Sequence, residues 1–245
     1  MKIALCMSGH ARTHMETYEF WRDNLLLHHD VDVFFHLWDT VGPRQMGGGL
    51  DGLSGVLPSD PLNRRDVERV WQPKVLWVDS YAYFHERFRV QADKWYKTRY
   101  ALGLRDIDRP LANFSMYYKW WACNDMKNRY AEQHGIHYDM VIRTRPDIAL
   151  LAPLPETCFA DQSKTYVPIE GSYAHDEISD YIVVGTNEQI NHWCNIYDQI
   201  DLKYDKALAD GDFTKALYPH KLFYYHFVEH NQPFESIDIK CKIFR

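Results

Sequence analysis

Short apolar segments alternate with helical patterns along most of this 245-residue chain, and this alternation limits the folds that the chain can adopt. Strands separated by helices pair in parallel, because the helix returns the chain to the same end of the sheet. The segments that read as strands are 2–7, 31–39, 74–79, 140–142, 165–169, 179–185 and 237–244. We therefore predict an α/β fold with a mainly parallel, Rossmann-like sheet, helices on both faces and a single domain over residues 1–245.

The clearest helix is predicted over residues 113–134. Asn113 or Ser115 would cap its start, and Gly135 would end it. Lys119 falls within the apolar stripe of this helix. Because burial of an unpaired ammonium group is costly, Lys119 must either extend to solvent or meet an anion.

Charge and cysteine usage exclude some classes of protein. The net charge of -6 and the pI of about 6.1 argue against a general nucleic-acid or membrane-surface binder, because both need a basic face. The N-terminal apolar run is too short for a signal peptide, and no later run reaches transmembrane length. Five cysteines without C-x-x-C spacing fit reduced thiols. We predict a cytoplasmic protein with no membrane span.

A charged cluster follows the apolar residues 140–142. Arg143, Arg145 and Asp147 occupy alternate positions there, and a proline before the aspartate blocks a simple continuation of the strand. These side chains could form a solvated, salt-bridged strand face. Alternatively, they form a phosphate site at the end of a buried strand, which Lys119 could also reach.

The turn after the first strand is a second candidate for binding. Residues 8–13, Ser-Gly-His-Ala-Arg-Thr, stand between a strand and a helical pattern, where free backbone N–H groups suit a phosphate or nucleotide. An ordinary βα turn is the alternative. His36 lies near the end of the second strand, where ligands gather in open α/β sheets. It also shares a strand face with aromatic residues, which favours a packed histidine.

Residues 42–65 are rich in glycine and form either a lid or a disordered insertion. Gly47-x-Gly49-x-x-Gly52 matches the dinucleotide fingerprint in form. It lacks the strand before it and the helix after it, so we interpret the match as coincidence.

As a set, these segments resemble a known group of enzymes. The segments are Ile-Ala-Leu-Cys-Met-Ser-Gly-His-Ala-Arg at 3–12, Phe-His-Leu-Trp at 35–38, Ser-Met-Tyr-Tyr-Lys at 115–119, Tyr-Asp-Met-Val-Ile-Arg-Thr-Arg-Pro-Asp at 138–147, and Asp180 before Val-Val-Gly at 183–185. Together they are similar to GT-A-type glycosyltransferases of bacterial and viral polysaccharide synthesis. The similarity spans nearly the whole chain, although each motif is short.

The resemblance implies transfer of a sugar from a nucleotide-diphosphate donor to a saccharide or other hydroxyl acceptor. In that fold the first βα turn holds the nucleotide, and a D-x-D pair at the end of a middle strand binds Mn²⁺ or Mg²⁺. Here Arg145 stands at the first acidic position and only Asp147 keeps the carboxylate. Either Asp147 holds the metal together with the donor and a late histidine such as His220, or arginines replace the charge of the metal.

The resulting assignments are predictions for individual residues. Donor binding is assigned to Ser8, Gly9, Arg12, Lys119, Arg143 and Arg145. Asp147 is assigned to the metal or the donor sugar. Asp180 is the predicted catalytic base, with Asp176 and Glu177 as alternatives.

Three other interpretations stay open. His226-Phe-Val-Glu229-His230 matches the H-x-x-E-H pattern of inverted zinc peptidases, with Glu235 and Asp238 too near in sequence for the usual third ligand. A sulfotransferase could hold a phosphosulfate in the turn at 8–13. The chain could also be a catalytically inactive domain that binds sugars or nucleotides through its many aromatic residues.

Overall fold

The computed structural model describes residues 1–42, 60–88, 90, 110–172, 174–211 and 219–244. The strands are β1 Lys2–Gly9, β2 Asp30–Trp38, β3 Val75–Asp79, β4 Met140–Thr144, β5 Ile148–Leu150, β6 Thr165–Pro168, β7 Ile182–Gly185, β8 Phe234–Ile237 and β9 Cys241–Ile243. The helices are α1 His14–Trp21, α2 Arg64–Trp71, α3 at 81–88, α4 Pro110–His134, α5 Thr157–Ala160, α6 Asn187–Cys194, α7 Ile200–Asp210 and α8 Pro219–Glu229. A π-helical turn, Arg22–Leu26, extends α1.

Seven of these strands form one sheet in the order β3-β2-β1-β4-β7-β6-β8. Strands β3, β2, β1 and β4 run parallel to one another, and β6 runs parallel to β8. Strand β7 is antiparallel to both of its neighbours. The predicted mainly parallel sheet is confirmed, with one reversed strand next to β4.

Two apolar layers cover the two faces of the sheet. Along β1, Ile3 and Leu5 enter one layer and Ala4 and Cys6 the other, as the alternation of a strand requires. Helices α4, α6 and α8 pack large aromatic side chains into the layer of Ala4 and Cys6, whereas α1 and α2 cover the face of Ile3 and Leu5. Helices therefore lie on both faces, as predicted, and the all-apolar strands follow from burial on both sides.

The long helix begins earlier than predicted. Pro110 is already helical, and Asn113 and Ser115 lie inside the helix, so the predicted cap is wrong. The predicted end is confirmed, because Gly135 adopts φ +62° and Ile136 N donates to Ala131 O, closing a Schellman motif.

The single strand predicted over 237–244 is also wrong. Two strands occupy this region, and they belong to different sheets: β8 pairs with β6 in the main sheet, and β9 pairs with β5 in a separate ribbon. The sequence pattern could not show the break at 238–240, because strand periodicity says nothing about the partner.

Some predictions concern residues that the structure does not describe. Of the glycine-rich segment 42–65, residues 43–59 lie outside the described part, and its last residues already belong to α2. The dinucleotide-like glycines fall in the same range. All five cysteines are buried and unpaired, as expected for reduced thiols. Among the described helices, each is too short or too polar to cross a membrane.

Candidate active site

The carboxyl ends of four parallel strands meet at one edge of the sheet. The strand register places Gly9 beside Leu37, Trp38 beside Asp79, and Met7 beside Thr144. Because β7 runs the other way, its first residue pairs with Thr144, and the segment before β7 arrives at the same edge. The sequence-predicted candidates after β1, β4 and before β7 therefore converge.

Asp147 lies at the centre of this edge. Its side chain is fully buried, and its Oδ2 atom accepts hydrogen bonds from Arg12 Nη1 at 2.7 Å and Arg145 Nη2 at 2.9 Å. Its Oδ1 atom accepts from Arg145 Nε at 2.9 Å. Arg145 also reaches Asp180, with 3.3 Å between Nη1 and Oδ2. The arrangement excludes the solvated strand face, because these groups are buried or nearly so.

The ion pairs fix the charge states of this cluster. Burial alone would raise the pKa of Asp147, but Arg145 and Arg12 outweigh it and hold that pKa well below the ordinary range. For Asp180, burial is likewise outweighed, chiefly by Arg145, and its pKa is lowered. Both carboxylates are thus ionised at neutral pH. Because their side chains keep 21% and 15% of their surface exposed, Arg12 and Arg145 can still contact a ligand.

Arg143 lies behind the other two arginines. It is buried, its Cζ atom sits 3.4 Å from the centre of the Trp120 ring, and its Nη1 donates to the backbone oxygen of Asp180 at 2.5 Å. Burial lowers its pKa to about 9. Its Nε and Nη2 atoms have no hydrogen-bond partner among the described residues. This position lets Arg143 support the Asp180 segment, and its predicted contact with a donor stays a prediction.

The turn after β1 is built differently from the predicted backbone cradle. Arg12 adopts φ +41° and donates its backbone N–H to Val41 O at 2.8 Å, which aims its side chain at Asp147. Gly9 has φ +116° with open space where a Cβ would stand. Ser8 is buried, and its hydroxyl has no partner among the described residues. The predicted roles of Ser8 and Gly9 in nucleotide binding stay predictions.

Lys119 meets an anion, but in a neighbouring cluster. Its Nζ atom lies 3.2 Å from Asp79 Oδ2, 3.0 Å from His36 Nδ1 and 3.6 Å above the Trp38 ring centre. It also donates to Leu37 O at 2.7 Å. Burial lowers the pKa of Lys119 to about 7, although Asp79 opposes the shift. Lys119 therefore anchors the ends of β2 and β3, and its predicted contact with donor phosphates stays a prediction.

His10 connects the two clusters and was missed from the sequence. Its ring packs edge-on against Tyr81 at 4.8 Å, and its Nδ1 lies 3.2 Å from Thr40 O. Burial is the main cause that lowers its pKa to about 4, and Arg12 and Lys119 add to the effect. Asp79 was missed as well, although its place at the end of a predicted strand is the same signal that pointed to Asp147.

Comparison with known proteins adds a weak similarity. No family model matches the sequence, and no curated protein does. Among solved structures, the apo form of mouse xyloside xylosyltransferase 1 is similar, with a TM-score of 0.45 and 10% sequence identity. The match covers 97% of this chain and 84% of that chain. At this level the similarity supports no conclusion about chemistry, which rests on the site itself.

A resident metal does not fit at Asp147 in this arrangement. Both of its oxygens accept hydrogen bonds from guanidinium groups, and a cation would have to displace Arg12 or Arg145. The surrounding cluster holds three arginines and two aspartates, so its charge favours an anion. His220, the predicted late ligand, places its Nδ1 2.9 Å from Ile178 O.

Proposed function

We propose that this chain is a GT-A-like glycosyltransferase that transfers a sugar from a nucleotide-diphosphate donor to a saccharide or other hydroxyl acceptor. One observation carries the proposal. Arg12 and Arg145 are held side by side by a buried carboxylate at the carboxyl edge of a parallel sheet, and both remain partly exposed. This edge is where open α/β sheets bind their ligands.

The charges of the cluster suit a diphosphate. Arg12, Arg143 and Arg145 carry three positive charges, and Asp147 and Asp180 carry two negative ones, which leaves an excess of one positive charge. Guanidinium groups bind phosphate oxygens in a fork geometry, and a fork that is already oriented loses little entropy on binding. Asp147 therefore positions both Arg12 and Arg145.

The same arginines would assist departure of the nucleoside diphosphate. As the bond from the sugar to the diphosphate breaks, negative charge grows on the leaving oxygen. Preoriented positive groups in a partly buried site stabilise that charge strongly. In this proposal Arg12 and Arg145 supply what a divalent metal supplies in a D-x-D enzyme, and Mn²⁺ or Mg²⁺ is not required at Asp147.

We keep Asp180 as the proposed base for the acceptor hydroxyl, although its ion pair with Arg145 lowers its basicity. It is ionised at neutral pH, as a base must be, but its lowered pKa makes it a weak one. Its contact with Arg145 must loosen as the donor phosphates take over that guanidinium. Asp180 contacts the arginine cluster through Arg145, whereas the alternative Asp176 pairs with Lys221 at 2.9 Å, so Asp180 is the better candidate.

Aromatic side chains beside the arginines would accommodate the nucleoside. Tyr81 packs against Trp38 at 5.1 Å and against His10, and it remains partly exposed. Aromatic rings stack on nucleobases without strong preference among them. The five unpaired, buried cysteines support a reducing compartment such as the cytoplasm.

Donor binding tests the proposal directly. UDP, GDP, CMP and dTDP sugars are screened by thermal shift, once with Mn²⁺ and once with a chelator. We expect one donor class to raise the melting temperature in both conditions and to be hydrolysed slowly without acceptor. If no donor binds in either condition, the proposal is wrong. Binding without any turnover would instead identify a catalytically inactive binding domain.

A sulfotransferase is a second candidate because the cluster favours an anion without a metal. A nucleotide phosphosulfate in the same screen separates the two. A shift with that compound alone would assign sulfate transfer to this site.

A further inference from the structure

Three histidines come together between α6 and α8. His192 lies in the last turn of α6, His226 in the last turn of α8, and His230 just beyond α8. Their ring centres are 4.6 to 4.9 Å apart, and the ligand atoms that they offer lie within 4.8 Å of one another. None of the three belongs to the arginine and aspartate cluster.

Two of the three rings have a buried nitrogen without a hydrogen-bond partner among the described residues. His226 is fully buried, and its Nε2 lies 3.0 Å from His192 O, which leaves its Nδ1 with no partner among the described residues. The Nε2 of His192 is also buried and unpartnered there. The Nε2 atom of His230 lies 3.2 Å from Gln199 Oε1, so its Nδ1 atom is the one that could bind an ion. A buried nitrogen without a partner is costly unless something binds it.

The contacts of the other ring atoms match a metal site. Histidines that bind a metal usually donate their second N–H to a carbonyl or carboxylate, which fixes the ring and its tautomer. The backbone oxygen of His192 serves His226 in this way, and the amide oxygen of Gln199 serves His230. His192 and His226 also lie in the last turns of their helices, where the helix dipole favours a positive charge.

We propose that His192, His226 and His230 form a binding site for a divalent transition metal of the zinc class. Imidazole nitrogens suit zinc, whereas magnesium and manganese prefer oxygen ligands. Tetrahedral zinc with bonds of about 2.0–2.1 Å places its nitrogens about 3.3 Å apart, so the rings need to close by no more than about 1.5 Å. The rings of His192 and His226 are stacked at an interplanar angle of 15°, so one of them must also turn before both nitrogens can face one ion.

The site differs from that of a zinc peptidase, although the H-x-x-E-H motif provides two of its ligands. The third ligand is His192, which lies upstream of the motif. Glu229, the residue that would activate water, binds Lys203 and Lys206, each at 2.8 Å. The metal therefore holds α6 to α8 and does not catalyse hydrolysis.

Zinc binding by the untagged, chelator-treated chain tests the site. Isothermal titration with Zn²⁺ should give one ion per chain, and the melting temperature should rise. His230→Ala changes an exposed residue, so its fold should survive while Zn²⁺ affinity falls by about tenfold or more. Gln199→Ala should weaken binding by about tenfold through the lost orientation of His230.

His137→Ala is the matched control, because it removes an exposed histidine outside the cluster. It should bind Zn²⁺ like the parent chain. Co²⁺ in the parent chain should show the strong visible absorption of tetrahedral coordination, and His192→Ala should lose it. Unchanged affinity in His230→Ala, or an equal loss in His137→Ala, would overturn the proposal. Donor binding at Arg145 is measured separately and is expected to be the same in all four variants.

Discussion

Arg145 is the residue on which donor binding most depends in the proposed site. Arg145→Ala should weaken binding of the nucleotide donor by about 10- to 100-fold, because charge-assisted hydrogen bonds contribute about 1.5–3 kcal/mol. Arg145→Lys keeps the charge and loses the fork, so it should restore only part of the affinity. Isothermal titration with the donor found in the screen measures both.

Arg129→Ala is the control for charge, since Arg129 is exposed and pairs with Asp125 of the same helix. Its donor affinity should match that of the parent chain. An Arg145→Ala variant that is folded by circular dichroism and binds the donor as before would show that the diphosphate lies elsewhere.

Asp147 makes a prediction about stability and pH. The pKa of Asp147 is lower in the folded chain than its ordinary value of about 3.9. Its stabilisation is therefore complete above that value and is lost as the pH falls toward the folded pKa. Asp147→Asn should cost about 3–5 kcal/mol at pH 7, because two arginines lose a buried partner.

Urea unfolding from pH 7 to pH 3 measures this effect. The free energy of unfolding of the parent chain should fall as the pH drops below about 4, and the difference from Asp147→Asn should shrink. Asp23→Asn, a change at an exposed carboxylate, should show little of either effect. A difference between the parent chain and Asp147→Asn that stays constant over this range would contradict the assigned ion pairs.

At the scale of elements, alanine substitutions at two glycines distinguish the cost of backbone strain from the cost of a steric clash. Gly42 (φ +83°) and Gly135 (φ +62°) both adopt left-handed conformations. A Cβ at Gly135 meets open space, whereas one at Gly42 would lie 2.5 Å from the ring of His10. Gly135→Ala should cost about 1–2 kcal/mol from strain alone, and Gly42→Ala should cost more.

Donor affinity distinguishes the two variants further. Gly42→Ala should displace His10 and the neighbouring Arg12, and so weaken donor binding. Gly135→Ala should leave that affinity unchanged, because the end of α4 lies outside the site. Equal effects of the two variants on both stability and affinity would mean that His10 is not held against Gly42 in solution.

The elements differ in how far the sequence could predict them. The main strands and α4 carried long periodic patterns, and burial on both faces of the sheet confirmed them. The ribbon of β5 and β9 could not be predicted, because three-residue strands have too little pattern and their pairing spans about ninety residues. The spacing of Arg145 and Asp147 at the end of one strand suggested that these two side chains converge. The ion pair of Lys119 with Asp79 could not be predicted, because only the fold brings these two residues together.

At the scale of the whole molecule, the β9 segment holds the candidate site in place. Phe244 N donates to Asp147 O at 2.8 Å, and Thr13 Oγ1 donates to Phe244 O at 2.7 Å. Removal of residues 241–245 should therefore lower both the melting temperature and donor affinity. Thr13→Val, which removes a single hydrogen bond, should cost about 1 kcal/mol.

Thermal unfolding and donor titration of both variants check this prediction. Ser163→Ala removes an exposed hydroxyl that bonds to Asp161 in its own turn, and it should change neither quantity. A shortened chain that binds the donor as tightly as the parent would show that β9 does not support the site.

The contact of Phe244 with Asp147 also sets an order of events during translation. Arg12, Asp147 and Phe244 all contribute to the arginine cluster, and the first and last of them are more than two hundred residues apart in sequence. While the ribosome still covers residue 244, strands β1 to β4 can pair, but the buried carboxylate lacks the segment that closes over it. A nascent chain stalled before that residue would therefore hold paired strands without the hydrogen bond that ties Asp147 to the β9 segment.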